Sequence, residues 1–137
     1  MKLNVANRTT ELRLDNDDKQ CVETLGLEST TISTTHPLPA DLSPNALLVD
    51  ADEHQRQMVD PMANIQRGQT VEQAVGDAFD NGLLRLSEIA FDRAHKYAVF
   101  EYSFACGSLC GNGATVIYER TASGWTRSSR HCAEWIS

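Results

Sequence analysis

The chain has 137 residues, 41% of them hydrophobic and 23% charged, which suits one globular domain and argues against a disordered chain. No apolar run approaches the roughly 20 residues that a bilayer span requires, so no transmembrane segment is expected. The formal net charge is −7, from 12 basic and 19 acidic residues. Nucleic acid is therefore not an expected partner, because binding to its backbone requires a concentrated basic face.

The first part of the chain, residues 1–65, carries few periodic signals and is poorly defined by sequence. Leucines that alternate with charged residues predict a strand over Val5–Leu14, and a threonine-rich stretch predicts a second over Glu28–Thr35. Between them, the Asp-Asn-Asp-Asp run at 15–18 is typical of a turn. The prolines within 36–44 predict a connector, since each lacks a backbone donor and restrains the residue before it.

Two helices are predicted before the chain changes character at residue 83. The first covers Ala46–Met62, starts from Ser43 as its cap, and ends or bends at Pro61. The second covers 70–81, because Thr70-Val71-Glu72-Gln73 has the form of a capping box and apolar residues follow at helical spacing.

Residues 83–137 alternate apolar and polar positions between turn residues, which predicts an antiparallel sheet. The expected fold class is α+β, a single domain over 1–137 in which a helical or irregular N-terminal half packs on a four-stranded antiparallel meander. A change of phase near Ser87-Glu88 predicts a bulge in the first strand. The other strands are expected over Tyr97–Ala105, Ala114–Arg120 and Trp125–Ile136.

The densest chemical feature is the run Cys106-Gly107-Ser108-Leu109-Cys110-Gly111-Asn112-Gly113. A Cys106–Cys110 disulfide would fix the shape of this loop, since the glycines permit a tight turn. A zinc site would use the same cysteines with His131, but His131 and Cys132 are neighbours on a strand and point to opposite faces. A phosphate-binding loop is disfavoured, because a strand follows the glycines where a helix would be needed.

The remaining cysteines, Cys21 and Cys132, predict a second disulfide if the chain resides in an oxidising compartment. Such a bridge would close a long loop and so stabilise the fold more than the short one. The alternative is that both are reduced residues of the core. A disulfide would correspond to a periplasmic or extracellular location, and reduced cysteines to a cytoplasmic one. The start of the chain lacks the pattern of a signal peptide, so an exported protein would have lost its leader.

No catalytic set is recognisable in the sequence. The histidines His36, His54, His95 and His131 stand in no known motif, and each is expected to be a surface or turn residue. A cysteine–histidine nucleophile formed from Cys106 or Cys110 with His131 would need a free thiol of lowered pKa. The carboxylates of Glu88, Glu101 and Glu119 could form an acid–base pair, but a solvated sheet face is the expected arrangement.

An ordered set of short motifs runs from Leu86 to the end of the chain. The motifs are Leu86-Ser87-Glu88-Ile89-Ala90-Phe91-Asp92, then Ala98 and Tyr102, Cys106-Gly107-x-Leu109-Cys110-Gly111-x-Gly113, Gly124-Trp125 and Trp135-Ile136-Ser137. In this set the C-terminal part of the chain resembles a group of uncharacterised bacterial proteins, many of them exported or lipid-anchored. The resemblance implies an antiparallel sheet and often a location in the cell envelope, and it brings no reaction and no catalytic residues.

The leading functional hypothesis is a non-catalytic binding domain of the bacterial envelope, a monomer or homodimer that takes a protein or a small ligand and needs no cofactor. One alternative is a thiol- or zinc-dependent enzyme at Cys106, Cys110 and His131. The other is an acidic inhibitor or immunity protein that binds a basic partner through its negative N-terminal half. The expected recognition surface of the leading hypothesis comprises Gly107, Ser108, Leu109, Asn112, Tyr102 and Trp125.

Overall fold

The computed structural model describes residues 2–57, 66, 68, 70, 72–73, 81–106, 111–130, 132 and 134–136. No helix in these ranges is long and apolar enough to cross a membrane. The elements, in chain order, are β1 (Leu3–Ala6), β2 (Leu12–Arg13), α1 (Asn16–Val22), a 3-10 helix (Glu23–Leu25), β3 (Thr31–Ile32), β4 (Ala46–Val49), α2 (Ala51–Gln57), β5 (Leu83–Leu86), β6 (Ala90–Phe91), β7 (Tyr97–Ala105), β8 (Gly111–Thr121), β9 (Gly124–Arg127) and β10 (Glu134–Ile136).

The described strands form one large mixed sheet and a small sheet of β2 and β3. The large sheet has the order β10-β8-β7-β5-β1-β4, and β6 and β9 add to β7 and β8. The pairs along β7 and β8 are antiparallel. β1 instead runs parallel to both of its neighbours, β4 and β5. The sheet is therefore antiparallel towards the C-terminal strands and parallel where the N-terminal strands join it.

The predicted α+β class, with a helical or irregular N-terminal half packed on a four-stranded meander, is wrong. The molecule is mainly β, and its N-terminal half supplies strands to the sheet itself. β1 pairs with β4 from Leu3 opposite Ala46 to Ala6 opposite Val49. Each of these strands has four residues, too few to show a period of two. Their pairing also depends on contacts far apart in sequence, which no local pattern reveals.

The strand predicted over Val5–Leu14 divides into β1 and β2, and the turn predicted at 15–18 is the start of α1. The Asp15 side chain accepts a hydrogen bond of 2.7 Å from the backbone N–H of Asp18, so Asp15 caps the helix. Aspartate suits a turn and a helix cap for the same reason, since its short side chain reaches nearby backbone donors. Composition alone could not separate the two structures.

The helix predicted over Ala46–Met62 is likewise replaced by β4 followed by the shorter helix α2. Asp50 takes the capping position expected of Ser43, because its Oδ1 accepts from the backbone N–H of Glu53 at 2.9 Å. The predicted end of this helix at Pro61 lies outside the described residues.

Most of the helix predicted over 70–81 also lies outside the described residues. Its predicted start is described. The backbone N–H of Gln73 donates to Thr70 Oγ1 at 3.2 Å, and the backbone N–H of Thr70 donates to Gln73 Oε1 at 3.4 Å. These are the two reciprocal bonds of a capping box.

The bulge predicted near Ser87-Glu88 is present between β5 and β6. Leu86 pairs with Tyr102 and Ala90 pairs with Val99, so an advance of 90 − 86 = 4 residues on one side meets 102 − 99 = 3 on the other. The extra residue breaks the strand. Ser87 bridges the break, since its Oγ accepts from the backbone N–H of Glu101 at 2.7 Å. A bulge of this kind bends its strand and redirects the side chains within it.

The main core lies between one face of the sheet and the α1 segment. A disulfide joins Cys21 of α1 to Cys132, with the two Cα atoms 5.7 Å apart. Both cysteines pack against the core, so the bridge fastens α1 to the chain just before β10. The buried core residues are Leu12, Leu14, Val22, Leu25, Ala90, Val99 and Ile117.

Candidate functional site

The bulge faces residues 8–10, which pair with two distant parts of the chain. On one side, Arg8 forms an antiparallel bridge with Pro37, and the backbone N–H of Thr9 donates to the carbonyl of His36 at 2.8 Å. On the other side, Thr10 forms a parallel bridge with Ser87. His36 suits this pairing because a residue that precedes proline is restricted to extended conformations. Residues from three separate regions therefore meet beside the bulge.

Thr9, His36 and Glu88 form a connected hydrogen-bonded group at this meeting point. Nδ1 of His36 lies 2.9 Å from Oε1 and 3.0 Å from Oε2 of Glu88. The Thr9 hydroxyl donates to Oε2 of the same carboxylate, and its oxygen accepts from the backbone N–H of His36 at 2.8 Å. Thr9 thus fixes both members of the histidine–carboxylate pair.

The charge state of Glu88 determines which nitrogen of the His36 ring carries the proton. Burial raises the pKa of Glu88, but the hydrogen bonds from Thr9 and His36 and the nearby His36 charge outweigh it, so the pKa lies below its usual value of 4.5. Glu88 is then an ionised carboxylate near neutral pH and can only accept hydrogen bonds. Nδ1 of His36 must carry the proton between them, which leaves Nε2 as the ring nitrogen available to a ligand.

A cavity of about 410 Å³ adjoins this group, and its size falls within the range of small-molecule sites. We call it the His36 cavity. Its polar lining residues are Thr9, His36, Ser87 and Glu88, and its apolar lining residues are Pro37, Leu38, Leu42, Leu86, Ile89, Phe91 and Phe100. Hydrogen bonds and chain adjacency connect the polar residues, so they form one contiguous polar part of an otherwise apolar cavity.

The arrangement can hold a mainly apolar molecule and contact one polar group of it through Nε2 of His36. The same nitrogen could accept a proton, since a carboxylate that orients an imidazole is the arrangement used in general base catalysis. The hydroxyls within the cavity are already engaged, that of Thr9 with Glu88 and that of Ser87 with the Glu88 carbonyl at 2.8 Å. Within the described ranges no three His, Cys, Asp or Glu residues are placed to hold a metal ion.

The cysteine site expected from sequence is only partly described. Cys106 directly follows the last residue of β7. It is 1% exposed and disulfide-bonded, so it has no free thiol. Cys110 and His131 lie outside the described residues. The Cys106–Cys110 pairing therefore stays a prediction, and a thiol or zinc site at these three residues would require Cys106 to be reduced. Cys21 and Cys132, the other expected pair, form the disulfide of the core.

The expected recognition surface is distributed along the sheet. Trp125 on β9 is 43% exposed, and its ring centroid lies 6.0 Å from that of Phe91. It pairs with Arg120 of β8, whereas the exposed Asn112 lies at the other end of that strand, opposite Phe104. Tyr102 lies opposite Leu86 at the bulge. Gly107, Ser108 and Leu109 lie outside the described residues.

The sequence predicts neither the role of His36 nor the partner of Glu88. Glu88, Glu101 and Glu119 do not meet as an acid–base pair. Glu101 lies opposite Thr115 on the face that α1 covers, and Glu119 lies 3.8 Å from the ammonium of Lys96. The usable signal was the predicted bulge, because bulges often occur beside functional sites.

Comparison with protein-family models, with curated proteins and with solved structures finds no match to this chain.

Proposed function

We propose that the protein is a non-catalytic binding domain whose ligand is a small, mainly apolar molecule with one oxygen-bearing polar end. The observation that carries the proposal is the His36 cavity, in which a carboxylate-oriented imidazole stands among apolar side chains. An apolar wall with a few placed polar groups is typical of small-molecule sites. The polar end of the ligand contacts Nε2 of His36, and its apolar part packs against Leu38, Leu86 and Phe100.

The proposal extends to the compartment. A disulfide persists where the surroundings are oxidising, and the Cys21–Cys132 bridge supports a periplasmic or extracellular location. The resemblance of the C-terminal motifs to exported bacterial proteins points the same way. The protein is then a ligand-binding domain of the bacterial envelope.

The experiment uses decanoate, decanol and decylammonium as probes, which share one chain and differ in the polar end. Titration would be followed by the fluorescence of Trp125, whose ring lies beside the cavity residue Phe91, and by amide chemical shifts. We expect saturable binding of decanol, whose hydroxyl can donate to Nε2, and weaker binding of decanoate, because an ionised carboxylate has no hydrogen to donate to that nitrogen. Decylammonium has N–H donors but carries a full charge among apolar side chains, which lowers its affinity. Absence of saturation with all three probes would contradict the proposal.

Variants locate the bound probe. His36→Ala should weaken binding of the preferred probe about tenfold, since it removes the polar contact. Leu42→Trp should weaken it by filling space at a cavity residue that is 39% exposed. His54→Ala is the matched control, because His54 contacts the carbonyl of Asn81 and does not line this cavity. Equal effects of His36→Ala and His54→Ala would place the probe elsewhere.

Acid–base catalysis is the second candidate, and the orientation of His36 by Glu88 favours it. Hydrolysis of p-nitrophenyl decanoate at a rate abolished by both His36→Ala and Glu88→Ala would support an enzyme. A bound but unreacted ester would support the binding domain.

A further inference from the structure

A second cavity, of about 280 Å³, lies on the other side of the bulge. We call it the Glu101 cavity. Ser87 is the residue that also lines the His36 cavity. Its wall is more polar than that of the His36 cavity, since none of its described lining residues is aliphatic. The lining residues are Thr10, Glu11, Arg13, Arg85, Ser87, Glu101, Tyr102 and Ser103.

Two opposite charges in this cavity have no ionic partner among the described residues. Arg85 lies opposite Ser103 in the sheet, and Glu101 is two residues before Ser103, so Arg85 and Glu101 are diagonal neighbours on one face. They form no ion pair with each other or with any other described residue. The guanidinium of Arg85 donates instead to the neutral side-chain oxygen of Gln55, at 3.1 Å. A carboxylate and a guanidinium are thus both available within one small polar cavity.

The carboxylates of Asp18 and Asp15 lie close enough to Glu101 to repel its charge. Burial raises the pKa of Glu101, a hydrogen bond from the Arg13 backbone opposes this, and the charges of Asp18 and Asp15 raise it further. Asp18 is 8% exposed, and its Oδ1 has no hydrogen-bond partner among the described residues. Its other oxygen accepts from the Thr115 hydroxyl at 2.9 Å. A cation at Glu101 would relieve the repulsion between these carboxylates.

Two arginines line the cavity, Arg13 and Arg85. Arg13 lies 3.2 Å from Glu11, in a pair whose side chains are 72% and 50% exposed. Such an exposed pair is weak and can open at little cost. Arg85 has no carboxylate partner in the part of the chain that the structure describes, and guanidinium groups bind carboxylates through two parallel hydrogen bonds.

We infer that the Glu101 cavity is a binding site for a small zwitterion of the α-amino acid type, with the ammonium at Glu101 and the carboxylate at Arg85. The hydroxyls of Thr10 and Ser103 complete a polar wall suited to a ligand that is polar throughout. This site is separate from the His36 cavity and from its proposed ligand. The two sites share the bulge residue Ser87, whose hydroxyl is engaged with the backbone of Glu88 and Glu101.

The test is a titration of the isotope-labelled full chain with pools of the standard amino acids, followed by amide chemical shifts. We expect saturable shifts at Arg85, Glu101 and Ser103 with at least one amino acid. The matched half-ligands are acetate and methylamine, each with one of the two charges, and each should bind at least about tenfold more weakly. No saturable shift with any amino acid, or equal binding of acetate alone, would overturn the inference.

Two variants each remove one charge. Glu101→Gln and Arg85→Gln should each weaken binding of the amino acid about tenfold or more, since each removes a charge-assisted contact. Arg85→Lys should restore part of the affinity. Glu119→Gln is the matched control, because Glu119 is a carboxylate pointing to the same sheet face but paired with Lys96 outside the cavity. Retained binding in both charge variants would also overturn the inference, while near-UV circular dichroism confirms that each variant is folded.

Discussion

Nδ1 of His36 lies 2.9 Å from Oε1 of Glu88, across 52 residues of sequence. The Glu88 side chain is only 12% exposed, whereas that of His36 is 63% exposed. The carboxylate is thus the fixed member of the pair and the imidazole the accessible one. An anchored acceptor with an exposed ring is an arrangement in which the protein orients the histidine and a ligand reaches it.

Replacing Glu88 by Gln should lower the free energy of unfolding by about 1–2 kcal/mol at neutral pH, because charge-assisted hydrogen bonds from Thr9 and His36 become neutral ones. The folded-state pKa of Glu88 lies below its usual 4.5. The stabilising effect is therefore complete above that value and is lost as the pH falls through the lowered folded-state pKa. As the pH is lowered, urea unfolding should show a smaller difference in the free energy of unfolding between wild type and variant. A difference that stays constant with pH would contradict this account. Glu119→Gln serves as the more exposed control, since the Glu119 side chain is 36% exposed.

The Cys21–Cys132 disulfide should make a large contribution to stability. It joins residues 111 positions apart, and the chain-entropy model gives roughly 4–5 kcal/mol for a loop of that length. We expect Cys21→Ala with Cys132→Ala to lower the free energy of unfolding by about 3–5 kcal/mol, measured by guanidinium unfolding without reductant.

The control for this bridge is the same double variant treated with dithiothreitol. Reductant should destabilise the wild type by more than it destabilises the variant, because the variant has already lost the long loop closure. An unchanged unfolding midpoint in the double variant would show that the bridge adds no stability.

The sequence predicts most of the antiparallel strands because their signals are local, but the single strand expected over Trp125–Ile136 is two short strands, β9 and β10, which pair separately with β8. Tyr97–Ala105 is predicted with the bounds that the structure has, and the bulge follows from a change of phase within a few residues. The parallel strands are missed because β1 and β4 have four residues each and take their stability from distant partners. Likewise, Glu88 stands at a predicted bulge, but its partner belongs to a proline-rich connector that carries no pattern. Fold and site are both missed where they depend on pairings between distant segments.

Gly82 directly precedes β5 at a point where Phe104 and Ala105 pack closely against it. A Cβ at this position would lie 2.3 Å from Cζ and 2.7 Å from Cε2 of Phe104, with the Ala105 carbonyl oxygen 3.2 Å away. Gly82→Ala should therefore cost about 1–3 kcal/mol of stability, because the aromatic ring must move. Adding Phe104→Leu should recover part of the loss in thermal unfolding. An unchanged melting temperature in the single variant would contradict the close approach.

The negative charge of Asp18 should destabilise the fold, whereas that of Glu88 stabilises it. Burial raises the pKa of Asp18 above its usual 3.8, the Thr115 hydrogen bond partly offsets this, and Asp15 and Asp17 add repulsion. An acid with a raised folded-state pKa favours folding most when protonated. Its contribution is fully present below the usual value and is lost as the pH rises through the raised folded-state pKa.

Asp18→Asn keeps an acceptor for the Thr115 hydroxyl and removes the buried charge. The variant should be at least as stable as wild type at neutral pH, and its advantage should shrink as the pH falls. Asp17→Asn, at the exposed neighbouring position, should show a smaller change, because Asp17 acts only by repelling the Asp18 charge. If Asp18→Asn were less stable than wild type at neutral pH and the deficit persisted in acid, the charge of Asp18 would be a stabilising one. A water molecule, a cation or a donor outside the described residues would then satisfy its Oδ1, which has no hydrogen-bond partner within the described chain.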